Sequence, residues 1–226
     1  MVDFVKQCGP DVDFLSFHRY GSGNGAESTD RLMDSATAYG ASLAAYRSLV
    51  AQASGARAIP IMLDEYGVNY NWRSGEARQW SNVGAVFYAS VLRNIAYAGI
   101  TYALNWDLKD RVYGLTDMRD SPRPIATVLT WGCHYLTGDL CLATSSHPRI
   151  EAMAVRQSDG CRSILLLNKA AGTATISLNL VQQEIYSGSL QLNTLDQAGT
   201  STTTAAPSML ENPIIMPPYS LMLVRG

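Results

Sequence analysis

The chain has 226 residues, 47% of them hydrophobic, and a formal net charge of −2. That length and apolar content allow one large domain or two small ones with a sizeable core. Lys and Arg do not cluster and no apolar run reaches bilayer length, so composition argues against nucleic-acid and membrane partners.

The amino terminus, Met1 to Cys8, lacks a signal peptide's ordered charged and apolar regions. Localisation stays open between a cytosolic protein and one whose leader was removed or never cloned. The four cysteines, Cys8, Cys133, Cys141 and Cys161, have no C-x-x-C spacing, which argues against a zinc or redox motif. Free buried thiols are expected, with one disulfide among the last three as the alternative. Without a ligand cluster or a phosphate-binding loop, no metal or organic cofactor is expected.

Residues 1–10 read as a helix fragment stopped at Gly9-Pro10, and 12–18 as a strand. Gly21, Gly23 and Gly25 predict a mobile loop, followed by helix-capping residues at Ser28-Thr29-Asp30. Leu32, Ala36, Tyr39, Leu43, Tyr46 and Val50 then form one face of an amphipathic helix that ends at Gly55.

The apolar run Ile59 to Leu63, bounded by Pro60 and Gly67, is too short for a helix. It predicts a buried strand that ends in Asp64-Glu65. An aromatic loop with Tyr66, Tyr70 and Trp72 follows. A helix is expected over 75–98, with Trp80, Val83, Phe87, Val91 and Ile95 on its apolar face and Gly99 as its cap. Residues 100–106 predict a third strand, and Pro122 and Pro124 open a helix over roughly 123–137.

Three strand–helix repeats of about forty residues predict a parallel α/β unit. From about residue 139 the pattern becomes alternating strands, at 150–156, 162–168, 173–180, 184–193 and 218–225, with the Thr-rich tract 200–204 as a polar loop. The expected architecture is α/β plus β: a partial TIM-type (β/α) barrel over 1–138 and an antiparallel β-sandwich over 139–226.

Parallel strands bring their carboxyl ends to one face. The strand ends here are His18-Arg19-Tyr20, Asp64-Glu65-Tyr66 and Asn105-Trp106-Asp107. They collect a candidate carboxylate nucleophile, a His and a Tyr able to hydrogen-bond it, and a Trp suited to stacking on a sugar ring.

Asp13-Phe14-Leu15-Ser16-Phe17-His18-Arg19-Tyr20 resembles the sixth barrel strand of glycoside hydrolase family 39, with its pattern D-F-hydrophobic-S-x-H-x-Y. Pro60 to Gly67 is similar to the seventh, where the glutamate is the nucleophile, and 100–110 to the eighth. The resemblance implies a retaining β-glycosidase acting on β-linked plant polysaccharides or oligosaccharides, such as xylan- or cellulose-derived sugars. It implies Glu65 as nucleophile, His18 and Tyr20 orienting Glu65 or binding substrate hydroxyls, and Trp106 as the floor of the sugar subsite. Tyr66, Trp72 and Asp107 would complete the substrate-binding set, with Asp64 a supporting neighbour whose side chain points away from that of Glu65.

The family's acid/base glutamate, after an Asn on the fourth strand, has no counterpart here. Glu27, Asp107 and Asp110 are the nearest substitutes in sequence. A non-catalytic carbohydrate-binding remnant is therefore the alternative function. Open sheet edges at 12–18 and 100–106 predict a homo-oligomer that covers them.

Overall fold

The computed structural model describes residues 1–226 apart from 24, 56, 74 and 181–187. Helix α1 (Val2–Cys8) leads into a short 3₁₀ turn and then strand β1 (Leu15–Ser22). Helix α2 (Thr29–Ser54), strand β2 (Ile61–Asn69), helix α3 (Asn82–Tyr97), strand β3 (Tyr102–Asn105) and helix α4 (Pro124–Tyr135) follow. The three strands form a parallel sheet in the order β1-β2-β3.

The capping chemistry matches the sequence. The Ser28 side chain accepts from the Arg31 amide at the start of α2, and Ser81 caps α3 through the Val83 amide. Trp80 lies in a 3₁₀ turn ahead of α3 rather than on its apolar face. Gly21 belongs to β1, not to a loop. A Cβ there would stand 2.6 Å from both Leu32 and Phe87, so the strand requires glycine to lie against its covering helices. Gly40 plays the same part between α2 and α3, where a Cβ would come within 2.6 Å of the Asn94 carbonyl oxygen.

The remaining strands are β4 (Asp139–Cys141), β5 (Ile150–Arg156), β6 (Arg162–Asn168), β7 (Ala174–Ile176), β8 (Leu190–Asp196), β9 (Gly199–Ala205), β10 (Ile214–Met216) and β11 (Ser220–Arg225). Six of them make an antiparallel sheet in the order β4-β5-β6-β11-β8-β9, and β10 pairs with β7. The Thr-rich tract is therefore an edge strand, β9, and not a loop. β-branched residues suit an extended strand, and its exposed position explains the polar composition. The expected strand at 184–193 falls partly on 181–187, outside the described residues; its end is the start of β8.

Period-two alternation in β6 and β11 divides the core. Leu165, Leu167, Leu221 and Leu223 pack with α3, α4 and β2, while Ile164, Leu166, Met222 and Val224 pack with β10 and the 3₁₀ turn at Leu210. Covered on both faces, these central strands read as continuous apolar runs. A buried polar cluster sits between the helices and the antiparallel sheet. Lys169 Nζ donates to Glu151 Oε1 at 2.5 Å and to Thr37, and Ser90 donates to the other Glu151 oxygen at 2.7 Å.

The cysteines are free, but Cys133, Cys141 and Cys161 are exposed rather than buried. The parallel sheet is covered by helices on one face only. On its other face Tyr102 is 58% exposed, Leu104 50% and Trp106 48%. No helix among the described residues is long and apolar enough to cross a membrane.

Candidate active site

The strands run further than the sequence predicts: β1 continues past His18 to Ser22 and β2 past Glu65 to Asn69, so His18 and Glu65 are paired within the parallel sheet and not at strand ends, while Trp106 follows the end of β3. Tyr20 and His18 alternate with Arg19 along β1 and so face together. Arg19 turns the other way, its guanidinium over the Tyr39 ring at 4.6 Å.

Both oxygens of Glu65 are engaged. The Tyr20 hydroxyl donates to Oε1 in a short hydrogen bond, and His18 Nδ1 lies 2.6 Å from Oε2. Burial pushes the Tyr20 hydroxyl far above its ordinary range, reinforced by its hydrogen bond to Glu65 and by that residue's charge. Tyr20 therefore remains a proton donor at any working pH. Its ring packs against Tyr113 and Tyr70, with centroids 6.0 and 6.4 Å away, and Tyr113 Oη donates to the Tyr70 carbonyl at 2.7 Å. Gly67 leaves room for the same ring, since a Cβ there would meet it at 3.0 Å.

Strand alternation predicts that Asp64 points away from Glu65. Instead His18 Nε2 lies 3.6 Å from Asp64 Oδ1, so both carboxylates flank one imidazole. Leu63 pairs with Phe17 and Glu65 with His18, which leaves Asp64 as an extra residue in β2.

Trp106 presents a half-exposed ring beyond the end of β3. Trp72, in the loop after β2, is 61% exposed and carries Arg73 over its ring at 4.8 Å. Tyr66 is fully buried with its ring against Tyr88 at 5.1 Å, rather than open to the site. Burial pushes its hydroxyl upward. Asp107 has a buried Oδ1 without a hydrogen-bond partner among the described residues. Desolvation, and then the charge of Asp110, raise its carboxyl above the ordinary value.

The other two acidic substitutes are committed to local structure. Asp110 accepts the amides of Val112, Tyr113 and Gly114, which shapes the loop after β3. Glu27 accepts from Ser22 at 2.6 Å and from the Gly23 amide. The Ser22 hydrogen bond is the main reason that its carboxyl lies below the ordinary range. Glu27 is therefore not poised to give up a proton near neutral pH. No cluster of three metal-ligating side chains occurs among the described residues.

Tyr113 is a neighbour of the site that sequence reasoning did not single out; it sits in a polar loop with no periodicity to mark it. Tyr70 is expected in the aromatic loop, but its packing against Tyr20 is not. Asp64 is expected beside Glu65, but its approach to His18 follows from a strand irregularity that only the pairing reveals.

No protein-family model matches the chain, and no curated protein matches it significantly. Solved structures do. AbfB, a family 51 α-L-arabinofuranosidase from Bifidobacterium longum, matches with a TM-score of 0.72 at 16% identity over 99% of this chain and 55% of its own. CelM2, a bifunctional glucanase-xylanase from a metagenome library, gives 0.68 at 19% identity, over 99% and 46%. A monomeric β-xylosidase from Caulobacter crescentus CB15 gives 0.64 at 14%, over 99% and 57%. The fold is thus glycosidase-like, and the chain spans about half the length of these structures.

Proposed function

We propose that this chain carries the nucleophile side of a retaining β-glycosidase resembling family 39, with Glu65 attacking the anomeric carbon of a β-linked plant polysaccharide or oligosaccharide. The observation that carries the reading is the double grip on Glu65. A carboxylate held by Tyr20 on one oxygen and by His18 on the other is fixed in orientation, and its side chain is partly exposed to a substrate. Trp106 forms the floor of the sugar subsite, with Trp72 and Asp107 on the loops around it. Tyr66, buried below, supports the strand and does not touch sugar. The neighbours' names, a glucanase-xylanase, an arabinofuranosidase and a β-xylosidase, favour xylan- or cellulose-derived sugars.

A retaining glycosidase needs a second carboxyl group about 5–5.5 Å from the nucleophile. On this reading residues 1–138 are the closing part of a (β/α)₈ barrel and 139–226 a β-sandwich, and the second carboxyl group lies on barrel strands outside this chain. The exposed Tyr102 and Leu104 side chains and the match to structures of about twice the length support it. Replacing Glu65 by Gln tests the assignment: the single release of dinitrophenolate from a dinitrophenyl β-glycoside should be lost with the fold intact, and unchanged release would overturn it.

Self-association that covers the outer strands β1 and β3 belongs to the same proposal. Light scattering should give a mass above the monomer's, and a monomeric mass across a wide concentration range would contradict it. The second reading is a carbohydrate-binding remnant. The structural commitments of Glu27 and Asp110 favour it, because they leave neither free as acid/base. It predicts sugar binding that depends on Trp106, with no hydrolysis.

A further inference from the structure

Trp80, displaced from the apolar face of α3 into the turn before it, keeps 38% of its surface exposed. It is nevertheless held. Its Nε1 donates to the Val112 carbonyl at 2.7 Å, and the Arg123 guanidinium lies over its ring at 5.6 Å. The open part of the indole lines a cleft of about 560 Å³ between the starts of α3 and α4 and the turn joining β8 to β9. Small-ligand sites run from about 300 to 1,000 Å³.

The other walls include Asn82, Asp196, Gln197 and Tyr219. Asn82 Nδ2 donates to the Tyr219 carbonyl at 2.6 Å, which orients its amide. Tyr219 has φ 44°, a conformation that bulky residues rarely adopt and that persists only where the surroundings enforce it. Asp196 pairs with Gly199 across the turn and accepts the Ala198 amide at 2.7 Å, which leaves Gln197 exposed at the tip.

Among the described residues that line the cleft there is no Lys or Arg. The neighbouring Arg123 is committed to the Gly114 and Asp110 carbonyls. The cleft therefore offers an anion nothing. It offers a fixed aromatic ring with two amides, which donate and accept, and one carboxylate, which accepts. An uncharged pyranose is the complement, with an apolar C–H face and a rim of hydroxyls that both donate and accept.

We infer that the Trp80 cleft is a second carbohydrate-binding site, which takes a stretch of neutral β-linked oligosaccharide. Trp80 is its platform, and Asn82, Asp196 and Gln197 bind the hydroxyls. The inference rests on the proposed function for the choice of a β-linked sugar; neutrality and the platform come from the cleft itself. The two sites share one loop. Val112, which accepts from Trp80, precedes Tyr113, whose ring packs against Tyr20 beside Glu65.

The test is an NMR titration of the full chain with xylohexaose and with cellohexaose, in the parent and in Trp106→Ala. The signals followed are the Trp80 indole N–H and the side-chain amides of Asn82 and Gln197, identified by their loss in Trp80→Phe, Asn82→Asp and Gln197→Glu. All three should shift and saturate at millimolar sugar in both proteins. Trp80→Ala should weaken this response by about tenfold or more and leave that of the Trp106 indole in place. Signals that stay still in the parent overturn the inference whether or not any variant folds. Shifts that vanish in a folded Trp106→Ala also overturn it, because they would then be a consequence of binding at Glu65. A wrong nucleophile assignment would instead leave the shifts as expected while no sugar became attached to Glu65.

Discussion

Glu65 accepts from the Tyr20 hydroxyl on one oxygen and has His18 Nδ1 beside the other. In Glu65→Gln one oxygen becomes an NH₂ group, which cannot accept a hydrogen bond. On the proposed assignment the substitution removes the attacking oxygen and also disturbs the grip, so the rate of phenolate release should be no more than about 10⁻³ of the parent's. Stability should change little, because the side chain is partly exposed and lies outside the apolar core. At this scale the meeting of His18, Tyr20 and Glu65 was legible, because polar residues following apolar runs on neighbouring parallel strands come to the same level of the sheet. The lengths of β1 and β2 were not: both continue past these residues. The direction of Asp64 was not legible. It depends on a bulge, which is fixed by how three strands separated by dozens of residues pair and which leaves no mark in local composition.

Among the elements, the loop after β2 is held by one arginine. Arg78 donates to Glu76 at 2.7 Å through Nε and again through Nη2, and Nη1 reaches the Glu27 carbonyl at 2.8 Å. It thereby ties the loop carrying Trp72 to the loop after β1. Burial opposes the charge on Glu76, but the Arg78 hydrogen bonds and charge outweigh it, so the carboxyl lies below its ordinary value of 4.5. The folded protein then binds fewer protons here than the unfolded chain does. This contribution to stability is present in full above 4.5 and is lost as pH falls through the lower folded value. Thermal unfolding measured from about pH 6 down to about pH 3 should fall more steeply for the parent than for Glu76→Gln. Equal slopes would show that the clamp does not contribute. The helices were legible because the apolar spacing on α2 and the Ser28 and Ser81 caps are local signals. The place of Gly21 and the strand at 199–205 were not: each depends on a neighbour, a covering helix in one case and a sheet edge in the other.

For the whole molecule, the antiparallel sheet is joined to the helices by more than apolar contact. Lys169, Glu151, Thr37 and Ser90 form a buried cluster between them. Breaking such a pair by removing one partner leaves a buried charge and typically costs about 3–5 kcal/mol. The two parts are held as a unit, while the far face of the parallel sheet stays uncovered. A change from strand–helix repeats to alternating strands made the order of the layers readable from sequence. The buried cluster was not readable, because a lysine and a glutamate far from the helices they touch look like ordinary surface residues.

An enzyme with its nucleophile in place and its acid/base elsewhere should start the reaction without finishing it. A dinitrophenyl β-glycoside needs no protonation of its leaving group, so Glu65 can displace the phenolate and form a glycosyl ester unaided. Hydrolysis of that ester needs a base to activate water, so the ester should accumulate. Mass spectrometry of the chain after exposure to dinitrophenyl β-xyloside and β-glucoside is therefore the most direct test. The expected result is one phenolate released per chain and one sugar on the peptide containing Glu65, both absent in Glu65→Gln. Sugar attached to another residue, or no attachment in a chain that still binds sugar through Trp106, would contradict the assignment.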